Sequence, residues 1–213
     1  MKLKRVTQKQ LREGVEALEL NADALRLAKL VPFRFDPRLT DDGTSDPVVA
    51  AIYLQALLPL PPRMLETISQ SVPSIDIVGD EAIDEMSAEG TVVDPTGHRD
   101  AFFSPSDNRI VIQPPENIGL ERASGILLHE VGHLLSAARS ASEDEAFYEA
   151  WSEGERASDH PSCDDVDENY AEAFRAFYSG EPLPPMLDAA MRLFDARARS
   201  QRLLAFLKGT ELE

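Results

Sequence analysis

Apolar residues recur at helical intervals from Val6 to Leu30, with Leu11, Val15, Leu18 and Leu25 on one face of an otherwise polar stretch. This pattern predicts an amphipathic helix. VPFRFDPRLTDDGTSDP follows and reads as a proline-punctuated loop, after which VVAAIYLQALL predicts a second, well-buried helix that LPLPP stops near Pro59. The period shortens after Pro73. SIDIV (Ser74 to Val78) alternates and is β-branched, while AFF (Ala101 to Phe103) and RIVIQ (Arg109 to Gln113) flank the turn-forming SPSDN, which predicts a small sheet containing a hairpin. Helical periodicity returns from about Gly119 to Ala138, again from Val166 to Tyr178, and in the C-terminal run MLDAAMRLFDARARSQRLLAFL. An acidic segment containing glycine and serine reads as the connection between the first two of these. The order predicts an α+β fold in a single domain over residues 1–213, with a helical N-terminal part over 1–70 and the core over 71–213.

Composition narrows the partners. Acids outnumber bases 38 to 21, for a formal net charge of −17. No nucleic acid partner is expected, because phosphate binding needs a basic face, and an anionic membrane surface is disfavoured for the same reason. MKLKRVTQKQLREGVEALEL lacks the apolar run of a secretory signal, and no stretch approaches a membrane span. A cytoplasmic location, or export by a non-classical route, is the expectation. Cys163 is the only cysteine, so a metal site must draw on histidine and carboxylates. The histidines are His98, His129, His133 and His160.

Within LLHEVGHLL, His129, Glu130 and His133 form His-Glu-x-x-His. On a helix, positions i and i+4 lie one turn apart on one face, so both imidazoles can meet a single Zn2+. Glu130 is placed to take a proton from a water on that metal and pass it to a leaving amine. Gly125 and Gly132 interrupt the same helix at a cost of about 1 kcal/mol each relative to alanine. Close packing against a neighbour is the expected reason. The site needs a further ligand, and Glu168 and Glu172 are themselves spaced i, i+4 in the next helix. One can bind the metal while the other accepts the N–H of a ligand histidine and fixes its tautomer. Glu168 is assigned to the metal and Glu172 to the histidine, with the reverse as the alternative.

HEVGH followed by Glu168-Asn-Tyr-Ala-Glu172-Ala-Phe174 resembles the glutamate-liganded zincins of the anthrax lethal factor and Pro-Pro endopeptidase type, over roughly Ile126 to Phe174. A preceding hairpin like AFFSPSDNRIVIQ is also similar to that family. The resemblance implies a zincin-like fold, a zinc metallopeptidase, and Glu168 as third ligand. The family carries an oxyanion-stabilising tyrosine seven residues before the ligand glutamate, whereas this chain has Pro161 there.

His160, its neighbour, is the expected replacement donor, with Tyr148, Tyr170 and Tyr178 as alternatives. A protein or peptide substrate is expected to lie along an edge strand, one of the hairpin strands over residues 99–113. The acidic segment from Ala138 to Glu168, with 11 acids and 2 bases, would favour basic substrates if it borders the cleft. Cys163 raises a cysteine switch, in which a thiolate fills the open metal position, against an incidental loop cysteine. HEVGHLL and its alanine-rich glutamate helix also resemble metallopeptidase-like regulators that cleave a repressor. The competing reading is therefore a regulatory or binding module with a single partner or no general proteolysis.

Overall fold

A computed structural model of the chain describes residues 3–19, 24–27, 31, 33–36, 46–72, 74–79, 101–104, 108–114, 119–139 and 144–207. His98 and residues 105–107 of the predicted hairpin turn lie outside these residues. The architecture is mixed: helices cover one face of a five-stranded sheet, consistent with the α+β expectation.

The N-terminal part is not purely helical. It supplies two strands, β1 (Lys4–Arg5) and β2 (Phe33–Phe35), around helices α1 (Gln8–Ala17) and α2 (Ala24–Leu27). The helix expected over Val6 to Leu30 is broken where Leu18 caps α1 and Glu19 takes φ 52°, a left-handed conformation that cannot continue a helix. At its start, Thr7 and Gln10 form a reciprocal capping box. The segment VPFRF, expected to be loop, contains β2. Phe33 and Phe35 point into the core while Arg34 points away, the alternation of a half-buried strand.

Helix α3 (Asp46–Ala56) is the predicted buried helix, and it packs between α1 and the later helix α5 (Leu120–Arg139). Burial of Val49, Ala50, Ala51, Ile52, Tyr53 and Leu54 explains why its apolar residues lack a stripe. The prolines after it begin another helix, α4 (Pro62–Ser71), which sinks Met64, Leu65 and Ile68 into the core. Proline fits the first helical turn because its missing N–H has no partner there.

Strands β3 (Ile75–Ile77), β4 (Ala101–Ser104) and β5 (Arg109–Ile112) fall where alternation predicted them. The sheet order is β1-β2-β3-β5-β4, parallel for β2-β3-β5 and antiparallel at both edges. Register puts Phe33, Ile75, Ile110 and Phe103 in one row across the helix-facing side, with Phe35, Ile77, Ile112 and Ala101 in the next. The opposite face holds Val78, Phe102 and Val111, together with a fully buried Asp76. Arg34 meets that carboxylate through two bonds of 2.8 and 2.6 Å, and Arg109 approaches to 3.7 Å. A buried charge requires such pairing.

Beyond α5, the acidic connection is not all loop, since it contains α6 (Glu145–Ser152), which is capped by Asp144 and buries Phe147 and Ala150. A single 3₁₀ turn (Pro161–Asp164) leads into α7 (Val166–Ser179), and α8 (Pro185–Leu207) closes the chain. The apolar core extends continuously from Val6 to Ala198. Among the described residues, no helix is long and apolar enough to cross a membrane.

Candidate metal centre

Helices α5 and α7 make the most extensive helix pair of the described fold, and their facing residues run in opposite directions along the chain. Arg175 lies by Gly125, Glu172 by His129, Ala171 by Gly132, Glu168 by His133, and Asp167 by Ser136. The closest approach is at Gly132. A Cβ there would stand 2.6 Å from the Cα of Ala171, so the backbones could not meet as they do with any other residue. Gly125 is different, because a Cβ would find only Arg175 Cδ at 3.8 Å, an ordinary contact. Close packing therefore accounts for Gly132 and not for Gly125.

The start of α7 is held firmly. Asp165 caps it, accepting from the backbone N–H of Asp167 at 2.9 Å and Glu168 at 3.2 Å. Buried Ser136 donates to Asp167 at 2.5 Å and ties the two helices together one turn beyond His133. Asn169, fully buried, accepts from the N–H of Ala157 at 2.7 Å and anchors the preceding loop. Gly180 ends the helix in a left-handed conformation, φ 77°.

These constraints bring His129, His133 and Glu168 together. One donor atom from each lies within 4.8 Å of the others. The two Nε2 atoms are 3.1 Å apart, His129 Nε2 is 3.6 Å from Glu168 Oε2, and His133 Nε2 is 3.4 Å from Glu168 Oε1. Zinc–ligand bonds of about 2.0–2.1 Å at tetrahedral angles imply ligand separations of about 3.3–3.4 Å. The triangle therefore fits a zinc ion, and its nitrogen and oxygen donors are of the right kind. On the far side of the first ring, His129 Nδ1 lies 3.4 Å from Glu172 Oε2. Glu168 thus faces the paired Nε2 atoms, and Glu172 stands behind His129. Glu130 is buried, 6% exposed, beside the ligand pair.

Electrostatics follow from this arrangement. Burial alone would depress His129, but the carboxylates of Glu168 and Glu172 beside it outweigh it and raise the imidazole to about 9. Burial and the neighbouring His129 charge lower His133 to about 4. Of the two rings, His129 is therefore the more readily protonated. Glu172 is held down at about 2 by His129 and, against the cost of burial, by Arg175.

The remaining candidates are placed elsewhere. His160 is exposed and caps the 3₁₀ turn, its Nδ1 accepting from the Ser162 N–H at 3.3 Å. It stands at the same end of α7 as Glu168 but is not part of the three-residue cluster. Tyr170 is buried edge-on against Phe147 and Phe194. Tyr178 donates to Asp195 at 2.9 Å, while Tyr148 is exposed on α6. Cys163 is buried with its Sγ 3.3 Å from Ser158 Oγ, so the cysteine switch finds no support: the thiol packs under its own loop. Of the hairpin strands, β5 is paired on both sides, and among the described residues β4 lies at a sheet edge, in contact with α5.

Sequence reasoning missed Ser136, Asp167 and Arg175. Their signal was present in the spacing, since Ser136 is three residues after His133, Arg175 is three after Glu172, and Asp167 precedes Glu168. No protein-family model matches the chain and no curated protein matches it, so the functional reading rests on the geometry of the site itself.

Proposed function

We propose that the chain is a zinc-dependent endopeptidase of the zincin type, acting on a protein or peptide substrate. The observation that carries this is the closure of His129, His133 and Glu168 into a triangle of zinc-ligand dimensions, with Glu172 behind His129 and Glu130 alongside. When bound there, zinc supplies Lewis acidity, which lowers the pKa of a water and polarises a carbonyl. Glu130 would accept the proton of the attacking water and deliver it to the departing amine. Glu172 holds the His129 ring so that its Nε2 faces the ligand triangle. His160 is the proposed oxyanion donor. Its Nδ1 faces Ser162, 3.3 Å from the backbone N and 2.7 Å from Oγ, and in the tautomer with the proton on Nε2 the ring would be able to donate. β4, which among the described residues lies at the edge of the sheet next to α5, is where an extended peptide would pair by main-chain hydrogen bonds.

Glu130→Gln separates binding from chemistry. The variant is expected to keep zinc at wild-type stoichiometry while its cleavage of a peptide library falls at least about 100-fold. Wild-type protein that holds zinc yet cleaves nothing in the library would point instead to a binding or regulatory module.

A further inference from the structure

Glu168 and Glu172 lie one turn apart on the same face of α7 and stand beside the same histidine, Glu168 at 3.6 Å from His129 Nε2 and Glu172 at 3.4 Å from its Nδ1. Something must keep them in separate roles. Arg175 meets both oxygens of Glu172, through Nε to Oε2 at 3.0 Å and Nη2 to Oε1 at 3.0 Å. Its Nη2 also donates to Glu181 Oε2 at 2.7 Å, and its Nη1 pairs with Glu181 Oε1. Glu181 follows Gly180, so the guanidinium is anchored from just beyond the end of α7. Glu172 Oε2 is therefore shared between the Arg175 fork and His129 Nδ1. The planar fork fixes the orientation of the carboxylate as well as its charge. The arginine stem passes Gly125 of α5 at ordinary contact distance, its Cδ 3.8 Å from where a Cβ would stand.

We propose that Arg175 is a positioning residue that clamps Glu172 behind His129 and thereby reserves the place between the two histidines for Glu168. The proposal rests on the metal-site reading above. It assigns a reason to the order of the two glutamates, which spacing alone leaves open.

Arg175→Met keeps most of the apolar stem and removes the fork. Two quantities are read: zinc affinity by competition with a chelator, and the ring ¹⁵N resonances of His129 in EDTA-treated protein. Arg175→Met is expected to weaken zinc about 10- to 100-fold, the usual cost of losing a partner that orients a ligand. It should also shift the His129 Nδ1 resonance away from its hydrogen-bonded position. Arg175→Lys, which can reach one oxygen, should recover part of both effects. Glu172→Gln combined with Arg175→Met should bind zinc no more weakly than Glu172→Gln alone, because Arg175 acts through Glu172. Wild-type affinity and an unmoved resonance in Arg175→Met would overturn the proposal, and so would losses that multiply in the double variant. If wild-type protein took up no zinc, the metal reading would fall, and the His129 resonance would still decide whether Arg175 holds Glu172 on that ring.

Discussion

The two imidazoles carry different proton loads, and this has a measurable consequence. His129 is raised to about 9 by its carboxylate partners in spite of burial, and His133 is lowered to about 4 by burial and by His129. Ligation requires both rings neutral. Between these values a proton must therefore leave His129 for zinc to enter. Zinc added to EDTA-treated protein near pH 7 is expected to release about one proton per site, and affinity should fall about tenfold per unit as pH is lowered toward 5. Potentiometric titration in weak buffer checks the first expectation and chelator competition across pH the second. Release of no protons would show that His129 is already neutral. At this scale the sequence was informative because His-Glu-x-x-His has one useful geometry on a helix. Glu168 and Glu172 were legible as a pair, but spacing alone leaves their order open, and on the proposal above that order is set by Arg175. The tyrosine alternatives were unrankable for a similar reason: Tyr170 and Tyr178 face the core, and that follows from how α7 packs against α8.

At the scale of elements, the site depends on how closely α5 and α7 approach. Gly132→Ala must force Ala171 away, and overpacking of this kind typically costs about 1–3 kcal/mol. It should weaken zinc as well, because Glu168 is on the displaced helix. Gly125→Ala meets only an ordinary contact and is expected to be neutral, or stabilising by about 0.5–1 kcal/mol. Urea unfolding of both variants with EDTA present measures the difference, and equal effects would refute the packing account. The long periodic helices α5, α7 and α8 were legible, as were β3, β4 and β5, because periodicity reports which face is buried, and α3 was legible as an unbroken apolar run. Short elements escaped: β2 is a three-residue strand amid prolines, α4 begins where prolines seemed only to stop a helix, and α6 lies within an acidic run. In each, tertiary burial of a few residues, such as Phe147 in α6, outweighed the local signal.

Across the whole molecule, a net charge of −17 would bias encounter with the proposed peptide substrate. The acidic residues between the two ligand helices include the Asp165 cap and Asp167 beside Glu168 at the start of α7. Cleavage of lysine- and arginine-rich peptides is expected to exceed that of acidic peptides of matched length, mainly through kcat/KM. The advantage should shrink as salt rises from 0.05 to 0.5 M, since the screening length is ~10 Å at 0.1 M. A salt-independent preference would place the selectivity in direct contacts instead. The central claim, that α5 and α7 build a zinc centre, is tested most directly by elemental analysis of purified wild-type protein beside His129→Ala. The site predicts about one zinc per wild-type chain and loss of most of it in the variant. Wild-type protein without stoichiometric metal after incubation with zinc, or a variant that retains it in full, would contradict the claim.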